Sequence, residues 1–139
     1  MRLEVCDEQA FGRRSFITAN DLVARSAEIG TQLHERAQEL LELPIVGDVR
    51  GRGMLLGVEY VADQETRRPF PRSKRVCETI TDRAFANGLV TCPISGVADG
   101  VDGDATVFKP PLTTPSEDVA EMLDILRETI GEVAKELSG

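Results

Sequence analysis

The stretch that decides the fold runs Pro44-Ile45-Val46-Gly47-Asp48-Val49-Arg50-Gly51-Arg52-Gly53-Met54-Leu55-Leu56-Gly57-Val58-Glu59. Continued to Tyr60 and Val61, its second half reads as a strand over Met54 to Val61. That strand is mostly apolar, so either both its faces are covered or one face meets a neighbour. Gly47, Gly51, Gly53 and Gly57 mark tight turns or close backbone approach. Arg50-Gly51-Arg52-Gly53 lacks the Lys-Ser/Thr of a phosphate loop, and no helix follows, so it does not read as one.

Upstream, a helix is expected from about Asp21 to Glu42. Leu22, Ile29, Leu33, Ala37 and Leu40 recur at helical spacing, with Ser26 on the same stripe, and Pro44 stops the run. Asn20 is placed to cap it, because its side-chain oxygen can accept from the orphan N–H groups of the first turn. Residues 1–19 show no clear period and are expected to form an irregular arm, with Phe11 and Phe16 as aromatic anchors. The domain proper is taken as residues 20–139.

Downstream, a polar loop ends at Pro69-Phe70-Pro71, and a helix is expected from Arg72 to Asn87, with Val76, Ile80, Ala84 and Phe85 facing in. Leu89 to Cys92 and Ala105 to Phe108 read as short strands, and Asp99 to Asp104 as a solvated acidic turn rather than a calcium loop. Thr114-Pro115-Ser116-Glu117 has the pattern of a capping box. Behind it Val119, Met122, Leu123, Leu126, Ile130, Val133 and Leu137 form one apolar face. The expected order is helix, strand, helix, strand, strand, helix. The fold class is α+β: a small mixed or antiparallel sheet covered by three amphipathic helices.

Composition bounds what such a domain can do. Sixteen basic and 24 acidic side chains give a net charge of −8, a poor balance for a nucleic-acid partner. No apolar run is long enough for a membrane span. The N-terminus has no apolar signal region, so a cytoplasmic setting with reduced thiols is expected for Cys6, Cys77 and Cys92. Cys77 and Cys92 are expected in the core, His34 in solvent. No cysteine or histidine spacing suggests a metal. The charge is uneven: residues 48–75 carry seven basic and four acidic side chains, whereas residues 99–139 carry three and ten. The basic middle suits either a solvated face or the docking of an anionic ligand or acidic surface.

On these residues alone no catalytic set assembles. The glycine-rich run Pro44 to Glu59, Gly88-Leu89-Val90, and Pro110-Pro111-Leu112-Thr113-Thr114 with the helix behind it nevertheless occur in a recognisable order. Together they resemble the C-terminal small domain of class III aminotransferases, of the omega-amino-acid and amine transaminase kind, over about Asp21 to Leu137. The resemblance implies the small domain of a fold-type I aminotransferase and amino-group transfer in the complete enzyme. It also implies pyridoxal phosphate as cofactor, held by a lysine and an acid of a large domain that precedes the matched region.

Departures from the family pattern shape the remaining expectations. Lys74, Lys109 and Lys135 do not match the family's Schiff-base lysine, so no catalytic or cofactor-binding residue is assigned, and the chain is expected to be inactive alone. Many family members carry a carboxylate-binding arginine three residues before the double proline; here that position is Val107. The other arginine site of the family falls on Thr91-Cys92-Pro93. Lys109, Arg50 and Arg52 remain as substrate-side candidates, with Lys109 able to act only as a point charge. The expected partner is a pyridoxal-phosphate-binding large domain, a homologous aminotransferase chain or a second copy. Two alternatives stay open: a non-catalytic interaction module that keeps the fold, and an anion binder using Arg50, Arg52, Arg67 and Arg68.

Overall fold

The glycine-rich stretch forms not one strand but a hairpin. A computed structural model describes the backbone of residues 4–139 and the side chains from residue 12 onward. Within these bounds it contains helices α1 (Glu4–Ala19), α2 (Leu22–Ala37), α3 (Val76–Ala86) and α4 (Ser116–Ser138). The strands are β1 (Val46–Arg52), β2 (Leu55–Asp63), β3 (Arg68–Pro69), β4 (Cys92–Ser95) and β5 (Asp104–Phe108). Short 3-10 turns follow α2 and precede α3.

The sheet order is β1-β2-β5-β4, every pair antiparallel, with β3 added beside the far end of β2. Alternation along β2 and β5 sets the two faces. Leu56, Val58 and Tyr60 of β2 and Asp104, Thr106 and Phe108 of β5 are buried. They form one side of a single core whose other side comes from Ile29, Leu33 and Ala37 of α2, Val76 and Ile80 of α3, and Leu123, Leu126, Ile130 and Val133 of α4. The period of 3.6 in the helices and of 2 in the strands thus converge on one apolar layer. The Tyr60 hydroxyl is hydrogen-bonded to that of Thr106 inside the core. Burial pushes the Tyr60 pKa up, so the phenol stays neutral there.

Close approach explains the glycines better than turns do. Gly30 of α2 packs on Gly53, where a Cβ on Gly30 would lie 2.6 Å from the Gly53 backbone. Gly53 itself has φ +55, the left-handed conformation that lets the hairpin reverse between β1 and β2. Gly47 and Gly51 lie within β1. The pairing shifts register between Val46 and Asp48, a bulge that breaks the period-2 pattern and hides β1 from the sequence.

Several expectations need correction. Residues 4–19, expected as an irregular arm, are helical. A short polar turn at Asn20 and Asp21 separates α1 from α2, and the Asn20 amide donates back to the Phe16 carbonyl instead of capping α2. Phe16 is exposed rather than anchored, while the side chains of Cys6 and Phe11 lie outside the described residues. The helix expected to Glu42 tightens into a 3-10 turn after Ala37. Phe85 and Cys92, expected inside, are exposed. His34 is not simply solvated, since its Nε2 lies 3.1 Å from the Gly53 carbonyl. The final helix begins at Ser116 without a side-chain cap. The Thr114 carbonyl instead accepts from the Arg25 guanidinium at 2.9 Å, tying the start of α4 to α2.

Candidate functional site

Direct pairing places side chains on a common face, so the ladder register defines what lies opposite the helices. One row across the sheet runs Arg50, Gly57, Val107, Cys92; the next runs Asp48, Glu59, Ala105, Ile94. Arg52 pairs with Leu55 at the end of the same face. None of these ten residues is buried, and Leu55 and Ile94 are 49% and 40% exposed. No described helix covers this face. Its centre is apolar and its β1 side is ionic.

The ionic side is internally satisfied. The Arg50 guanidinium bonds the carboxylates of Asp48 and Glu59, the latter at 3.1 Å. Those two hydrogen bonds push its pKa up. Arg50 therefore reads as the hub of a surface ion triad rather than an open anion receptor. Arg52 is exposed and makes no ion pair among the described residues. Arg67 and Arg68 lie at the other end of β2, where Arg68 pairs with Asp63. The strand β2 is nine residues long, which puts its two ends roughly 25 Å apart. The four arginines do not form one cluster, which removes the geometric basis for a shared anion site.

Lys109 follows β5 directly and lies at the same end of the sheet as Arg52, since Leu56 pairs with Phe108 and Leu55 with Arg52. It stands at the rim of a groove of about 480 Å³ that opens beside the free face. Val107 and Cys92 form part of the wall, with Leu89, Pro110, Pro111 and Met122 behind them. Both places where the family pattern carries an arginine, Val107 and Thr91 to Cys92, line this groove. The cofactor implied by the resemblance requires a lysine for its aldehyde and an acid for its ring nitrogen. The groove offers exposed Lys109 but no carboxylate, so the residues present do not hold that cofactor by themselves.

Sequence reasoning named Lys109, Arg50 and Arg52 but missed the surface that joins them. Seeing it required β1 as a strand, and the bulge at Gly47 conceals that. The one available signal was Val46 and Val49 on either side of Asp48, an imperfect alternation followed by the turn at Gly53.

Comparison with known proteins gives this geometry a context. A sequence profile of the family aminotransferase class-III matches residues 14–130. An uncharacterized aminotransferase of Bacillus subtilis, YodT, is 33% identical over 123 residues, covering 88% of this chain and 28% of that protein. An adenosylmethionine-8-amino-7-oxononanoate aminotransferase of Methanocaldococcus jannaschii is 32% identical over 99 residues, 71% of this chain and 20% of its own length. The crystal structure of a Bacillus anthracis aminotransferase superimposes with a TM-score of 0.78 at 30% identity, over 88% of this chain and 27% of that one. The chain thus spans between a fifth and little more than a quarter of the length of these relatives, and the family match begins within α1.

Proposed function

This chain belongs to the class III aminotransferases, a pyridoxal-phosphate-dependent family, and from that premise we propose that it serves as the small domain of such an enzyme. On this reading it is inactive alone and completes an amino-group transfer site when joined to a domain that carries the cofactor lysine. The observation that carries the reading is the helix-free sheet face. One side of the sheet is buried in the core, while the other leaves Leu55, Val107, Ala105 and Ile94 at least partly in water. A contiguous apolar face rimmed by charge is the usual mark of an unmet neighbour. The lysine-bearing domain would cover it, with the Arg50 triad at one margin.

The groove then becomes one wall of the substrate site. Bound cofactor supplies the electron sink for amino-group transfer. This chain's residues would shape the wall: Val107, Pro110 and Met122 exclude water, and Lys109 at the rim attracts an acidic group of the substrate. A lysine holds a carboxylate as a point charge, without the two-point fork of an arginine. Free Cys77 and Cys92 accord with a reducing compartment, which on this reading is the cytoplasm.

Reconstitution tests the proposal. The chain is mixed with pyridoxal phosphate, reduced with borohydride and mapped by mass spectrometry, alone and with a lysine-bearing large domain of the family. The expected result is no stoichiometric label on Lys74, Lys109 or Lys135, and transaminase activity only in the mixture. Full labelling of one of these lysines in the isolated chain would sink the claim that it is inactive alone. A chain that stays indifferent to every large domain offered would favour the interaction-module alternative.

A further inference from the structure

On the helix side of the sheet, away from the free face, three side chains of unlike chemistry converge. Cys77 and Glu78 lie in the first turn of α3, and Asp104 opens β5. One donor atom from each, the Cys77 sulfur and a carboxylate oxygen of Glu78 and of Asp104, lies within 4.8 Å of the others. Asp104 is fully buried. Its Oδ1 accepts the Cys77 backbone N–H at 3.1 Å, while its Oδ2 is buried and has no hydrogen-bond partner among the described residues. An orphaned carboxylate oxygen in a protein interior is costly, and native folds seldom leave one without a counter-charge. Glu78 is more accessible, with its carboxylate held by Arg72 and accepting from the Cys77 thiol at 3.2 Å.

We propose that Cys77, Glu78 and Asp104 form a binding site for a thiophilic divalent cation of the zinc type, pinning the start of α3 to β5. The donor set argues for the metal class. Magnesium and calcium prefer all-oxygen shells, whereas a thiolate selects zinc and its chemical neighbours. Zinc bonds of about 2.0–2.3 Å in a tetrahedron put the donors roughly 3.5 Å apart, so the observed spacing closes with small side-chain shifts. Three protein ligands leave one position for water, and half-buried Glu78 gives the ion a way in. Charge also balances locally. Two carboxylates and a thiolate face the divalent ion together with the Arg72 guanidinium. As the sulfur–metal bond forms, the thiol proton leaves to solvent, and no electron is transferred. The site does not depend on the aminotransferase reading, because none of its residues lies on the free face or in the groove.

Sequence spacing could not reveal this set. Cys77 and Glu78 are adjacent in the chain, which is unlike a metal motif, and the third ligand arrives from a strand that follows the acidic turn.

Cobalt is the direct probe, because thiolate–cobalt(II) coordination gives a charge-transfer absorption that oxygen ligands do not. The reduced, metal-free 139-residue chain, in a Cys6→Ala/Cys92→Ala background, is titrated anaerobically with Co²⁺ and then with Zn²⁺. The expected result is a thiolate band that saturates at one equivalent, is displaced by zinc, and accompanies a rise in melting temperature. Cys77→Ala should abolish the band, and Glu78→Gln should weaken binding at least tenfold. Glu78 is partly exposed, so that variant is expected to fold. Absence of the band, its survival in Cys77→Ala, or unchanged affinity in Glu78→Gln would overturn the proposal.

Discussion

Two single residues carry more consequence than their size suggests. Gly30 touches Gly53 where α2 crosses the β1–β2 turn, and a methyl group there would meet backbone rather than a movable side chain. Gly30→Ala should therefore destabilise the fold by about 1–3 kcal/mol, although alanine is the better helix former. Urea unfolding checks this: the midpoint should fall while the slope stays unchanged. Glu78 carries a pH signature. Hydrogen bonding to Arg72 lowers its pKa from 4.5 to about 2. A carboxylate whose folded pKa is depressed stabilises the fold above its unfolded pKa, and that contribution is lost as pH falls through the folded value. In chelator-treated protein the loss should therefore run from about pH 4.5 down to about pH 2. Arg72 is 37% exposed, so solvent screening should keep the effect small. Thermal melts of Glu78→Gln across that window should lack the corresponding step.

At the scale of elements, α4 shows which contacts matter. Arg127 bridges to Glu39 and Glu42 at 2.7 and 2.8 Å, and Arg36 reaches Asp124 at 2.7 Å, so neighbouring ion pairs tie α4 to the end of α2 and the 3-10 turn behind it. All these groups are substantially exposed, and such pairs are worth little. Ile130, on the same helix, has no exposure at all. Denaturant titration should separate the two: Arg127→Ala should cost under about 1 kcal/mol, Ile130→Ala about 2–5 kcal/mol. The same distinction explains which elements could be read in advance. The α2 and α4 stripes were legible because their apolar residues repeat over several turns and meet one core. The last two strands were legible in outline, though β4 begins where the sequence reading ended, at Cys92. α1 was not legible, because its apolar residues follow no single face, and the hairpin partner β1 was masked by its bulge. Of the candidate site, Lys109 was visible through its place before the double proline. The surface around it depends on ladder register, which no local pattern encodes.

At the scale of the whole molecule, the two faces of the sheet have different fates. The inner face belongs to this chain's own core, whereas no described helix covers the outer face, which on the proposed reading receives the lysine-bearing domain. Charged substitutions on the outer face should leave the isolated chain folded. Leu55→Glu and Ile94→Lys are each expected to keep the melting temperature within a few degrees, because both side chains are already about half exposed. The same variants should prevent reconstitution with a lysine-bearing large domain, measured as loss of co-elution and of activity. A melting temperature that collapses, or full reconstitution in both variants, would contradict this use of the face.

The central ladder carries one more consequence, in time rather than in space. β1 and β2 are joined by a tight turn, and that hairpin can close locally. β2 must then wait for β5, because Leu56 pairs with Phe108 only after β3, α3 and β4 have been threaded between them. Closing so long a segment costs chain entropy before any pairing repays it. The middle of the sheet is thus expected to be the last part to become whole. Tyr60 and Thr106, which meet across that late seam, should report the final step of folding rather than the first.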